Sequence, residues 1–125
     1  MWDDYNPSTG ERVAVPLAGG VEFGETGAEA IARELDEEIG AMPTRVEFLG
    51  VFEEIFAWAG RQRHELWLLY DVDLANPAIY ESEQVDVTED DGTSYVARWH
   101  DIGEFGLSYR LVPQGLLELI GRNTQ

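Results

Sequence analysis

The stretch Gly19 to Ala41, GGVEFGETGAEAIARELDEEIGA, decides the fold. Its second half reads as a helix marked at both ends. Thr26 is a capping residue, and Glu29 three positions later completes the pattern of a capping box. Gly40 supplies a left-handed stop, and Pro43 prevents continuation. Ala28, Ile31, Leu35 and Ile39 form the apolar stripe expected to be buried. Glu34, Glu37 and Glu38 share an arc of about 100° and flank that stripe instead of opposing it. Like charges at this spacing repel by a few tenths of a kcal/mol on an exposed helix, and by more as the local dielectric falls. Arg33 sets one cation against three anions. A hard divalent cation offsets the repulsion better, because Mg²⁺ takes oxygen ligands and bridges carboxylates to phosphates. The competing reading is a solvated acidic face. Upstream, Gly19, Gly20 and Gly24 bracket Glu22 and Glu25. Glycines let the backbone approach a ligand closely, so loop carbonyls can join the carboxylates as metal ligands.

The rest of the chain bounds the answer. At 125 residues it suggests one domain, 1–125, long enough to bury a core. It has no cysteine, which excludes disulfides and thiolate metal sites. Asp and Glu total 25 against 8 arginines and no lysine, a net charge of −17. Such a surface repels DNA and anionic membranes. It also repels a phosphate-bearing substrate unless cations intervene. No run reaches the ~18 apolar residues of a membrane span, and the first residues lack a signal peptide's basic and apolar regions. The expected location is the cytoplasm.

Along the chain, NPSTGE reads as a turn and Val13 to Leu17 as a short strand. Two β-rich runs follow, 45–59 and 64–74, joined by GRQR as a hairpin loop. Residues 76–92 read as acidic and irregular, and 94–102 as another strand. Pro113 opens a final helix whose buried side is Leu116, Leu117 and Ile120. Mixed strands with two separate helices favour an α+β or layered α/β/α domain.

Gly19, Glu25 and the run Arg33-Glu34-Leu35-Asp36-Glu37-Glu38-Ile39-Gly40-Ala41 resemble the Nudix box, G-x5-E-x7-R-E-U-x-E-E-x-G-U, with U a bulky aliphatic residue. Eight of nine defined positions fit, and the exception is the small Ala41. The resemblance implies an α+β fold, the Nudix α/β/α sandwich on a mixed β-sheet. It also implies metal-dependent hydrolysis of the diphosphate linkage in a nucleoside diphosphate joined to another moiety, X. A non-catalytic nucleotide sensor and a truncated inactive homologue are the alternatives. Family members carry a strand or two well before the box. Only 18 residues precede Gly19, and MWDDYN is poor strand material. A missing or short N-terminal strand is therefore expected. It follows from truncation, from a misassigned start, or from a partner chain filling the edge as a homodimer.

Matching positions make Glu34 and Glu38 metal ligands for Mg²⁺ or Mn²⁺. Glu37 is a third ligand or a positioning group, and a backbone carbonyl of Ala18 or Gly19 completes the set. Glu37, Glu34 and Arg33 form the expected catalytic group, with Arg33 orienting the glutamates and Glu25 structural. The general base lies in the box or later, where Glu81, Glu83 and Glu89 are candidates. Outside the box, Arg61 and Arg63 beside His64 form a basic hairpin suited to phosphate or ribose. Glu53 and Glu54 alternate on a β run, and Glu54 is the one taken as a substrate candidate. Trp58, Trp67, Trp99 and Tyr109 are expected in the core or an interface, and one of them can stack on a base. His100 carries no distinguishing signal.

Overall fold

The structure, a computed structural model, describes residues 2–5, 12–89, 91–106, 109–113 and 115–123. In chain order the elements are β1 (Trp2–Tyr5), β2 (Arg12–Val15), α1 (Gly27–Ile39), β3 (Pro43–Trp58), β4 (Arg61–Leu74), α2 (Pro77–Glu81), β5 (Gln84–Thr88), β6 (Ser94–Arg98), a 3-10 turn (Ile102–Glu104), β7 (Arg110–Leu111) and α3 (Leu116–Asn123). The composition is α+β, as expected. Two compact units form. One draws on residues 1–16, 51–67 and 100–125, and the other on 17–50 and 68–99. Among the described residues no helix is long and apolar enough to cross a membrane.

The first unit holds a mixed three-stranded sheet in the order β1-β2-β7. β1 runs antiparallel to β2, with Trp2 opposite Val15 and Tyr5 opposite Arg12. β7 joins β2 in parallel, pairing Val13 with Arg110. Val13, Tyr109, Leu111, Pro113 and Leu116 are buried here. This corrects the reading of MWDDYN as poor strand material. Pairing with the β-prone RVAV overrides weak local propensity. The chain thus supplies a short strand of its own beside β2, where truncation, a misassigned start or a partner chain were the alternatives. Pro113 also precedes the last helix rather than opening it. The Leu116 N–H donates to the Pro113 carbonyl at 3.1 Å, and helix begins at Leu116. Leu117 is exposed and Ile120 half-buried. The NPSTGE turn lies outside the described residues.

The second unit packs α1 against β5, which pairs antiparallel with β6. Ala30, Leu35, Ala41, Ile79, Val87 and Ala97 are buried. Gly27 is needed at the helix start, because a Cβ there would overlap the Tyr70 hydroxyl. Arg45 ties the β3–β4 pair together, reaching Glu47 at 2.7 Å and both Asp71 and Asp73 at 2.8 Å. The stretch expected to be irregular over 76–92 contains α2 and β5 instead. Asn76 caps α2 by accepting from the Ala78 N–H at 3.0 Å. QVDVT alternates apolar and polar residues as a half-buried strand does. The strand expected over 94–102 stops at Arg98.

β3 and β4 form a long hairpin shared between the units. Its turn is Ala59-Gly60, at φ 52° and 77°. Two consecutive positive φ values are what a two-residue type I′ turn requires. The loop expected at GRQR is therefore shorter, and Arg61, Gln62 and Arg63 already belong to β4.

Candidate active site

The box helix is fixed at both ends. The Thr26 hydroxyl accepts from the Glu29 N–H, and the Thr26 N–H donates to the Glu29 carboxylate, both at 3.1 Å. At the other end Gly40 takes φ 65°, and its N–H donates to the Asp36 carbonyl at 3.0 Å. That geometry needs glycine. With its rotation set, the helix turns Glu34 and Glu38 inward, 8 % and 6 % exposed, while Glu37 stays in solvent. This differs from the expected stripe. Ala28 is exposed, Ile31 and Ile39 are half-buried, and the two glutamates occupy the covered face with Ala30 and Leu35.

Arg33 connects the loop to the helix. Its Nε and Nη2 fork onto the Glu25 carboxylate at 3.1 and 2.7 Å. Nη2 also donates to the Gly20 carbonyl at 2.9 Å. Nη1 reaches Glu34 at 3.0 Å and Glu37 at 3.2 Å. The Glu22 N–H donates back to Glu25 at 2.8 Å, closing the loop on itself. The guanidinium holds the Glu25 carboxyl below the usual range, and Glu25 in turn raises the Arg33 pKa further. Gly19 stands directly against Glu34, where a Cβ would overlap the carboxylate. Its neighbour Ala18 is exposed in the same loop.

The Glu38 carboxyl hydrogen bonds to Glu34 and to Glu89. Burial first, then the Glu34 hydrogen bond and the charges of Glu89 and Glu34, push it up to about 8. Two carboxyl groups bond to each other only when one keeps a proton. Glu89 is presented by the β5–β6 turn, where its N–H donates to the Thr93 carbonyl at 2.8 Å and its carbonyl accepts from Gly92 at 3.0 Å. Tyr95 on β6 hydrogen bonds to Glu89, and burial followed by the charges of Glu38, Glu89 and Glu34 raises its phenol. Among the described residues no three carboxylate or imidazole groups already surround a common metal position. The donor set nevertheless suits Mg²⁺. It is all hard oxygen, partly buried, and carries mutual repulsion that a proton now relieves.

The other candidates are spread through the fold. Glu81 ends α2, Glu83 precedes β5, and both are exposed. Arg61 and Arg63 are exposed in β4, with Arg63 3.6 Å from Glu65. Glu54 is half-buried in β3, and Glu53 pairs with His64 at 2.7 Å. Trp58 and Trp67 are half-buried, and the Trp67 indole donates to Glu65 at 2.9 Å. His100 is enclosed by Phe105 and Tyr109, with Nδ1 3.2 Å from Glu104. Tyr95 is the residue that sequence reasoning missed. Its signal was present: the Asp-Gly turn between VDV and SYVA marks a hairpin, with Glu89 in the turn and Tyr95 one pair back from it, opposite Val87.

A capped helix that buries two glutamates, an arginine that pins one of them, Glu34, to a glycine loop, and a third carboxylate from a hairpin define an oxygen-rich site suited to a divalent cation. The NUDIX domain model matches residues 4–118. The chain belongs to the NUDIX family, and its α+β composition with a mixed sheet agrees with that fold. No solved structure matches it significantly. Members of the family are in general hydrolases of small nucleotide derivatives that use a divalent metal such as Mg²⁺.

Proposed function

We propose that the protein is a Mg²⁺-dependent pyrophosphohydrolase that cleaves the diphosphate linkage of a nucleoside diphosphate joined to a second moiety. The carrying observation is the covered cluster of the Glu34, Glu38 and Glu89 carboxyl groups, an all-oxygen donor set whose mutual repulsion a divalent cation would relieve. Glu34 and Glu38 are the principal metal-holding side chains, with Glu89 from the hairpin and a carbonyl of Ala18 or Gly19 beside them. When bound, the ion neutralises the diphosphate and acidifies a coordinated water. Glu37, exposed and steadied by Arg33 at 3.2 Å, is free to hold an attacking water or to take its proton. Arg33 is a positioning residue, because its five donors are committed to protein oxygens around the loop. Arg61, Arg63 and Glu54 remain proposals for contacts to the rest of the substrate.

The family match spans residues of both units, which supports reading residues 1–125 as one functional domain. A homodimer in the cytoplasm completes the reading. The dimer now rests on Val51, Ile55 and Leu66, apolar side chains exposed on the hairpin, and solution molar mass tests it. Activity is tested by a panel of diphosphate substrates with Mg²⁺ and Mn²⁺, scored for nucleoside monophosphate release. Activity on at least one of them, abolished in Glu38→Gln, is expected. Product formed equally well by that variant would refute the assignment.

A further inference from the structure

The opposite end of the β5–β6 ribbon carries a second feature that the chemistry above does not use. Gln84 pairs with Arg98 at that end, and Thr88 with Ser94 at the end beside Glu89. Four residues of strand separate them by about 14 Å. A cleft of about 410 Å³ opens there, between Tyr80, Glu81, Glu83, Gln84, Arg98 and Trp99.

Two aromatic rings in it are held rigid yet left half-exposed. Tyr80 and Trp99 stack with centroids 5.3 Å apart and planes 22° apart. The Tyr80 hydroxyl accepts from the Leu74 N–H at 2.7 Å, and the Trp99 indole donates to the Ile79 carbonyl at 2.9 Å. The Trp99 N–H also donates to the Glu83 carbonyl at 3.3 Å. With both polar tips fixed, 46 % of Tyr80 and 49 % of Trp99 still face solvent. Rings locked in this way present a flat apolar surface that loses little further freedom on binding.

The charge around the rings selects the ligand. Glu81 and Glu83 are exposed carboxylates at the rim, against the single guanidinium of Arg98. The whole chain adds a field of net charge −17. Phosphates and carboxylates are repelled, and cations are drawn in. A guanidinium meets both demands, because its plane stacks on an aromatic face while its edge forks onto a carboxylate. The cleft exceeds one side chain in volume, and the exposed Gln84 lines it beside Arg98.

We infer that the Tyr80–Trp99 cleft docks an arginine-bearing peptide segment of a partner protein, with the guanidinium lying on the ring pair and its edge turned to Glu81 and Glu83. The test is calorimetric titration of the full chain, at 0.15 M salt, with nine-residue Gly/Ser peptides carrying one central arginine, lysine or citrulline. The arginine peptide is expected to bind at least about fivefold more tightly than the other two. Trp99→Leu should weaken it by about tenfold. If that variant proves unfolded, the surface pair Glu81→Gln with Glu83→Gln, which leaves the packing untouched, should weaken it comparably. Removing equal charge outside the cleft, by Asp36→Asn with Glu53→Gln, should change it by less than about twofold. Equal binding of arginine and lysine peptides, equal effects of the two charge-removing pairs, or no binding at millimolar peptide would overturn the inference. So would a purine nucleoside that binds in a Trp99-dependent way while the peptide does not.

Discussion

Raising the pH of the protein in chelator should destabilise it through Glu38, and Glu38→Gln should remove that loss. Glu38 moves from an ordinary 4.5 to about 8 on folding. The folded state therefore holds a proton that the unfolded state has released. A group with a raised folded pKa contributes stability that is complete below about 4.5 and is lost as pH rises through about 8. A rise from 4.5 to about 8, at about 1.4 kcal/mol for each tenfold change in proton affinity, sets a ceiling of about 5 kcal/mol. Glu89 is only half-buried, so water and counter-ions reach one side of the cluster. That screening brings the expected loss to about 2–3 kcal/mol. The assay is urea unfolding in EDTA at pH 5, 7 and 9, for both proteins. The wild type should lose about 2–3 kcal/mol more than Glu38→Gln between the lowest and highest pH. At pH 9 the inactive variant should be the more stable of the two. Millimolar Mg²⁺ should restore the wild type at pH 9, where the carboxylates are free of protons, and do much less at pH 5. Parallel pH profiles for the two proteins, or equal Mg²⁺ stabilisation of both, would refute the reasoning.

Other perturbations probe the supports of the site one at a time. Arg33→Lys keeps the charge but loses the fork onto Glu25 and the reach to Glu34 and Glu37. It should cost about 1–3 kcal/mol in thermal unfolding and lower kcat more than KM in product-release assays. Gly19→Ala drives a methyl group into the Glu34 carboxylate, and should weaken Mg²⁺ binding in calorimetry while leaving the helical circular-dichroism signal unchanged. Tyr95→Phe removes the hydroxyl that bonds Glu89. It should weaken Mn²⁺ affinity, read by electron paramagnetic resonance, by about tenfold. Ala59→Gly relieves a left-handed alanine in the hairpin turn and should stabilise the fold by about 1 kcal/mol in urea.

How far the sequence could be read depended on how local each determinant is. The caps of α1 are set within four residues, so Thr26, Glu29 and Gly40 announce the helix ends unaided, and the spacing of Arg33, Glu34, Glu37 and Glu38 follows from helical geometry. The rotation of that helix is not local. Apolar periodicity placed Ala28 and Ile39 inward, because hydrophobic burial is the default driving force. The folded chain covers Glu34 and Glu38 instead, and their burial depends on β5, on the Gly19 loop and on Glu89 more than fifty residues later in the chain. The same limit explains β1. Trp2 and Tyr5 favour strands but Asp3 and Asp4 between them do not, and only the neighbouring β2 gives their backbone partners. Two sites where local preference and final structure disagree are thus of different kinds. At β1 the disagreement is settled by ordinary backbone pairing. At Glu38 it leaves a protonated acid in a covered position, which no packing rule favours, and a conflict of that kind is expected where function rather than stability selects the residue.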